Sequence, residues 1–444
     1  MSSDLLAAVP QRWLIPPVYA RFSVQLGKML DEKRIAGTRL APYLRNVDVQ
    51  WRGVNTADLP EMDFDDGDRE TYSLRKGDLL VCEGGEVGRT AIWSGDLAEC
   101  YFQKAIHRLR PITDADDPRF FRYFMRMAVD SGVFAQAVAS TIQHLTAEKL
   151  RVVRYPAPPV EEQRAIADYL DRETTRLDGL VAAKERWLAL LAEKRRALIT
   201  RAVTRGLDHA ACLSDSGVPW LTAVPSHWTV TRLKFVADVR GGVALGKNYG
   251  ASPLIELPYL RVANVKDGHL DLSDVATVLV PQSEAQACVL AVGDVLMNEG
   301  GDADKLGRGC VWEGQIAPCL HQNHVFAVRP REWHRVLPHW VNAWTSSDGA
   351  KAFLESRGKQ STNLASISAT NVKELPIPIP PLPEQHGIVA YIDAETRKLD
   401  ALRAATERTI ALLKERRAAL IAAAVTGKID VRQAGHYTEA ATAG

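Results

Sequence analysis

The sequence predicts an α+β chain: two similar α/β globular halves, separated by two long helices that pair as an antiparallel coiled coil with pseudo-two-fold symmetry. Three features predict it. The stretch 156–208 recurs 222 residues later as 378–430, without a gap, and 29 of its 53 positions are identical, which marks an internal duplication. Both copies space their apolar residues alternately 4 and 3 apart, as a heptad seam does. Shorter motifs from the globular parts also recur in the same order.

A chain of 444 residues exceeds one hydrophobic core, so several domains are expected. The boundaries read as 1–157 for the first globular half, 158–208 for the first long helix, 209–379 for the second half, 380–430 for the second helix and 431–444 for a tail. Composition is ordinary, 46% hydrophobic and 25% charged. No apolar run reaches membrane length, and no secretory signal opens the chain. Six cysteines without C-x-x-C spacing fit a reducing cytoplasm and argue against a zinc site or a disulfide framework. The net charge is only +1, so any nucleic-acid surface has to be a local patch or be completed by a partner.

In chain order, Val9-Pro10-Gln11-Arg12-Trp13 opens the first half and Val224-Pro225-Ser226-His227-Trp228 the second. Short strands and turns follow. Tyr43-Leu44-Arg45-Asn46-Val47 answers Tyr259 to Val265, and Leu74 to Gly85 answers Leu290 to Gly301. Each half closes its strands on Arg-Pro, at Arg110-Pro111 and Arg329-Pro330. Helical stretches come next, near 120–138 and 337–357, then polar segments at 140–144 and 358–363. Shared frames with divergent loops fit two readers of different ligands.

The long helices carry their own start and stop signals. Prolines stand at each entrance, at Pro158-Pro159 and at Pro381 with Pro383, where a missing N–H costs nothing. Glu161, Glu162 and Glu384 favour the positive end of the helix dipole. Gly206 and Gly427 offer stops. The expected pairing residues are Ile166, Leu170, Leu177, Leu180, Trp187, Leu191 and Leu198 in the first helix. In the second they are Ile388, Ile392, Leu399, Leu402, Leu413 and Leu420. Polar breaks at Glu173, Lys184 and Lys194 recur at Glu395, Thr406 and Arg416.

Catalytic motifs are weak. Gly241 to Asn248 lacks the Ser or Thr that a phosphate loop places after its Lys, and no helix start follows; it has no counterpart in the first half and reads as a turn. Gly84-Gly85 and Gly300-Gly301 read as tight turns that can also bring backbone close to DNA. Glu83, Glu299, Asp78 and Asp294 read as structural. His107, His321 and His324 lack a third ligand at metal spacing. Methylase motifs and G-x-G-x-x-G are missing. Catalytic residues and metal ligands are therefore expected to be none, leaving a stand-alone nucleotide hydrolase or methylase, or a plain coiled-coil scaffold, as alternatives.

Polar and basic residues cluster in corresponding loops. The first half offers Arg45, Asn46, Arg89, Lys104, Gln143 and His144. The second offers Arg261, Asn264, Lys266, Asn298, Lys305, Arg308, Asn323, His324, Lys359, Gln360 and Asn363. Arg and Lys suit phosphate and guanine, and Asn and Gln suit adenine edges, so this set is the candidate DNA face.

Together these features resemble the specificity subunit of type I restriction-modification systems. The carrying residues are PPVEEQ (158–163) and PPLPEQ (380–385), the Tyr-Leu-Asp and Tyr-Ile-Asp that follow, Glu-Thr-x-x-Leu-Asp in each copy, and the endings Ala-Leu-Ile-Thr-Arg-Ala-Val-Thr and Ala-Leu-Ile-Ala-Ala-Ala-Val-Thr. The opening Leu14 to Pro17 departs from the family pattern. The resemblance implies two target recognition domains, each reading one half of a split site in double-stranded DNA. It implies helices that act as spacer and docking surface for two methylation subunits, which carry S-adenosylmethionine and methylate adenine. Two restriction subunits driven by ATP, with magnesium, join through them. This chain would itself hold no cofactor. A helix of about 40 residues is roughly 60 Å long, enough to serve half-sites about 34 Å or a multiple apart.

Overall fold

The structure, a computed structural model, describes residues 9–29, 37–136, 144–250, 252–301, 307–360 and 365–431. Two compact units emerge. The first joins residues 1–185 to 408–444, and the second spans 186–407. The boundary falls within both long helices, so each unit contains globular and helical parts.

In the first unit, four strands form an antiparallel sheet: β1 (Phe22–Leu26), β2 (Leu79–Cys82), β3 (Thr90–Ile92) and β4 (Ile106–Pro111), in the order β1-β4-β2-β3. Leu109 of β4 faces Val24 on one side and Leu79 on the other. In the second unit β5 (Ala237–Arg240), β6 (Val295–Asn298), β7 (Gly309–Val311) and β8 (Val325–Pro330) take the equivalent order β5-β8-β6-β7. Val328 there faces Val239 and Val295.

The Arg-Pro motifs that end β4 and β8 have one job in both units. Arg110 grips the carboxylate of buried Asp78 with two bonds of 2.7 Å. Arg329 grips buried Asp294 at 2.6 and 2.7 Å. The same carboxylates accept the backbone N–H of Arg75 and of Ala291. A buried charge is tolerable when paired and hydrogen-bonded in this way.

The loop 241–248 does have a counterpart. A Cβ on Gly242 would lie 1.9 Å from the carbonyl oxygen of His321, and one on Gly27 would lie 2.2 Å from that of Gln103. Both glycines let a strand cross the same backbone, seen as the parallel bridges Val243–Gln322 and Lys28–Gln103. Lys247 is occupied by Glu284 at 2.7 Å.

Helix α1 (Pro118–Asp130) packs Phe120, Phe121 and Phe124 against Phe22 and Tyr155 in the first core. The expected helix 120–138 breaks after Asp130, where Gly132 takes positive φ. The first long helix, α2, runs Val160–Arg205. In the second unit α3 (Pro338–Thr345) and α4 (Asp348–Arg357) replace the single expected helix. Trp340 and Trp344 are buried and donate to the carbonyls of Pro378 and Pro376. The second long helix, α5, runs Leu382–Val425. Its expected bounds of 380–430, like 158–208 for α2, were a few residues too generous.

The PxxxxQ motif bolts each helix entrance to its globular part. Gln163 is fully buried; it accepts from the N–H of Asp117 and donates to the carbonyls of Pro158 and Ala115. Gln385 is equally buried; it accepts from the N–H of Leu337 and donates to those of Pro380 and Arg335. One amide thus caps a free N–H at the start of the short helix and ties it to the carbonyl that precedes the long one.

The tryptophans of the opening motifs complete the joint. Trp13 donates to Glu162 at 3.3 Å, and Trp228 to Glu384 at 3.1 Å. Gly206 ends α2 at φ +70° beside Trp228, and Gly427 follows α5 at φ +72° against Pro10 and Trp13. Any larger residue would be strained and would strike these neighbours.

Within each unit the helices run antiparallel. In the first, Ile166 and Leu170 share a core with Ile421, Ala424 and Val425, while Asp178 meets Arg417 at 2.9 Å and Glu185 meets Lys414 at 3.6 Å. In the second, Ile199, Ala202 and Val203 pack with Ile388 and Ile392, and Arg195 lies 3.9 Å from Asp400. Burying each of these Ile, Leu and Val side chains contributes about 1.5–3 kcal/mol.

The seam differs from the expected one. Ile166, Leu170, Leu177, Leu191, Ile388, Ile392 and Leu399 are buried, and Leu198, Leu413 and Leu420 are half-buried. Leu180, Trp187 and Leu402 instead stand in solvent. The alternate positions moved by one residue: Thr174 is buried rather than Glu173, Ile199 more than Leu198, and Thr396 and Ile410 rather than Glu395 and Thr409. The inward face therefore takes Thr174 and Thr396, whose hydroxyls bond back to Leu170 and Ile392. No helix among the described residues is long and apolar enough to cross a membrane.

Candidate nucleic-acid interface

In both units the Gly-Gly turn after the second sheet strand collects the polar loops. In the first unit Glu83 donates its N–H to Ala105 and accepts from Leu145. That fixes the end of the polar segment beside the turn, and a Cβ on Gly84 would lie 3.3 Å from the His144 imidazole. Asn46 donates to the Gly84 carbonyl at 2.9 Å. Arg89 donates to the side-chain and backbone oxygens of Asn46 at 2.8 and 2.9 Å. Asn46, Arg89 and His144 thus meet at one turn although they are far apart in sequence.

The second unit repeats the backbone pattern. Glu299 donates its N–H to His324 and accepts from Ile367. Here the turn becomes a short strand: Gly300-Gly301 pairs with Ala365-Ser366, which pairs with Lys359-Gln360. A Cβ on Gly300 would lie 2.9 Å from the Ala365 carbonyl oxygen, so glycine is required by close approach. His324 is exposed and bonds Glu299 at 2.7 Å. Its equivalent in the first unit is Ala105, and Asn323 answers Lys104, because each pair makes the same backbone bonds.

The remaining candidates divide. Lys104 and Lys359 are exposed, and Asn323 is half-buried. Arg45 is held by Asp48 with two bonds of 2.9 Å. Arg261 is held by Asp274 at 2.7 Å, and Lys266 lies 4.0 Å from Asp271. Arg308 is half-buried, and its backbone carbonyl accepts from Asn298. Gln143, Lys305 and Asn363 lie outside the described residues, as does the side chain of Gln360.

Two candidates are corrected. Asn264 is buried; its amide accepts from the N–H of Arg261 and donates to the carbonyls of Asp271 and Asp274. It answers Asp48, which accepts from the N–H of Arg45, and not Asn46. Asn298 is buried too and donates to Val265. Both brace turns, and neither side chain is presented to a ligand.

Three residues at the first turn lie outside the candidate set. Trp51 donates its indole N–H to Glu86 at 2.5 Å, and the Arg126 guanidinium lies 4.8 Å from the Trp51 ring centroid. A half-exposed tryptophan stacked under a cation is a ready platform for a base or sugar face. The signal available was Trp51-Arg52 in an otherwise polar turn. Burial also keeps His107 and His321 below the usual imidazole pKa, so both are neutral scaffolding near pH 7.

The duplicated frame, the Gly-Gly turns and the shared helices define a class. A family model described as the type I restriction modification DNA specificity domain matches residues 45–182 and 225–411, well over half of the chain, and the chain belongs to that family. It is a specificity subunit of a type I restriction-modification system, the non-catalytic recognition component. It is 23% identical over 442 residues to the EcoKI specificity subunit of Escherichia coli K12, covering 96% of this chain and 90% of that one. It is 21% identical over 371 residues to the EcoBI specificity subunit of Escherichia coli, covering 82% and 76%. Among solved structures it is similar to a chain described under complex assembly and conformational transition of the type I R-M system, with 18% identity, TM-score 0.72 and coverage of 95% and 99%. It is also similar to the HsdS subunit of Thermoanaerobacter tengcongensis, with 19% identity, TM-score 0.53 and coverage of 95% and 98%. These likenesses show the fold.

Proposed function

We propose that each unit reads one half of a bipartite double-stranded DNA site through its Gly-Gly turn. The observation that carries this reading is one backbone pattern dressed with different side chains. Asn46, Arg89, His144 and Trp51 surround the first turn, and Glu299, His324 and Lys359 surround the second. A common frame with unlike edges is what two half-sites of different sequence require.

The paired helices dock two methylation subunits, which bring S-adenosylmethionine to adenine, and through them two restriction subunits with ATP and magnesium, in the cytoplasm. Apolar residues exposed at repeat-equivalent positions support docking. The first unit exposes Leu180 and Leu412, and the second exposes their equivalents Leu402 and Leu190. One surface presented twice fits two copies of one partner.

The test replaces residues 228–357 with the corresponding part of a relative. Methylated adenines are then mapped in cells that hold the methylation subunit. The reading expects one half of the target to change and the other to persist. An unchanged target would reduce the chain to a scaffold.

A further inference from the structure

The second unit holds a cavity of about 520 Å³ between α3, the end of α2 and the start of α5. Among its lining residues are Arg195, His339, Asn342, Asp393, Thr396 and Asp400. In the first unit the equivalent positions carry larger side chains that bond one another. The correspondence is fixed by Gln163 and Gln385, which accept from the N–H of Asp117 and of Leu337, each one residue before the proline that opens α1 or α3. Arg119, Arg122 and Tyr123 therefore answer His339, Asn342 and Ala343. On the facing helix, Asp171 and Thr174 answer Asp393 and Thr396.

In the first unit these groups saturate one another. Arg119 reaches Asp168 at 2.6 Å and Asp171 at 3.2 Å, and Arg122 reaches Asp171 at 3.1 Å. The Tyr123 hydroxyl donates to Asp171 at 2.7 Å and lies 3.2 Å from that of Thr174. In the second unit the shorter side chains do not reach across: His339 lies 3.8 Å from Glu313, and Asp393 is open to solvent. Asp393 is approached by Arg397 only to 3.6 Å, and Arg195 lies 3.6 Å from Asp267 and 3.9 Å from Asp400. One buried acceptor in the lining, Asn342 Oδ1, has no hydrogen-bond partner. Native interiors rarely leave such atoms unpaired.

We propose that this cavity is a receptor for a guanidinium group on a flexible stem, the chemistry that Arg119 and Arg122 supply from within the first unit. Asp393 accepts from the guanidinium, as Asp171 accepts one bond each from Arg119 and Arg122, and Asn342 Oδ1 accepts one further N–H. The group comes from a free arginine-like molecule or from an arginine of a docked subunit.

The test uses the full chain, alone and with its methylation subunits. N-acetyl-arginine-methylamide is titrated against it calorimetrically, with the citrulline analogue as the uncharged isostere. A free ligand gives saturable arginine binding at least about tenfold tighter than citrulline, lost in Asp393→Asn. Asn342→Arg with Ala343→Tyr rebuilds the filling of the first unit, and it abolishes binding while the melting temperature is kept or raised. If the free probe does not bind, a subunit's arginine requires that the rebuilt variant, still folded, lose the methylation subunits at lower salt than the wild type. Equal binding of arginine by wild type and rebuilt variant, or no change in either arm, overturns the proposal.

Discussion

Replacing Gln385 by alanine tests the joint between the second long helix and its globular part. The side chain is fully buried, and its amide makes three bonds of 2.8 to 3.0 Å. After truncation the Leu337 N–H and the Pro380 carbonyl lose their partner in the interior. Each costs about 1–3 kcal/mol. The carbonyl of exposed Arg335 turns to water at little cost. The sum is about 4 kcal/mol, or a fall of roughly 8–16 °C in melting temperature for a unit of this size. Hydrogen exchange followed by mass spectrometry would locate the effect: protection falls at residues 337–341 and 381–386 and persists at 117–121. Gln163→Ala should give the mirror result in the first unit. A loss below about 1 kcal/mol, or exchange spread evenly over both units, would refute the assignment of this amide as the bolt.

Asp294→Asn leaves Arg329 without its carboxylate and should cost about 3 kcal/mol, toward the low end for buried pairs because Arg329 is partly in water; urea unfolding measures it. His107 and His321 have folded pKa values lowered by burial, so their contribution is fully present above the unfolded value near 6.5 and is lost as pH falls through it. Melting temperature should therefore drop between pH 7.5 and 5.5, and His107→Gln should flatten that slope. Leu190→Glu with Leu412→Glu alters only exposed positions, so stability should stay within about 0.5 kcal/mol. Retention of methylation subunits in size-exclusion runs should nonetheless fail.

Much of this fold could be read before any coordinates, because duplication makes its own argument. A motif that recurs at PPVEEQ and PPLPEQ has to serve one local geometry, and Gln163 and Gln385 do. The seam was harder. The positions Leu170, Leu177 and Leu191 belong to both possible stripes, and apolar Leu180 and Trp187 drew the reading to the wrong side. The winning side is the one that also faces each globular part, which puts polar Thr174 inward. Asn264 was misplaced because its turn was matched to Asn46 by residue type, whereas backbone capping equates it with Asp48. The residues around Gly84, such as Asn46, Arg89 and His144, are far apart in the chain, and no spacing along it encodes that meeting.

Each unit takes its globular body from one copy of the repeat and closes its helix pair with the far end of the other copy's helix. Neither copy is therefore self-sufficient. A gene encoding one copy alone would leave an open seam at both places, and two such molecules would satisfy each other by mutual exchange. The fused chain reads as that homodimer made covalent, a step that freed its two faces to diverge without disturbing the shared stem.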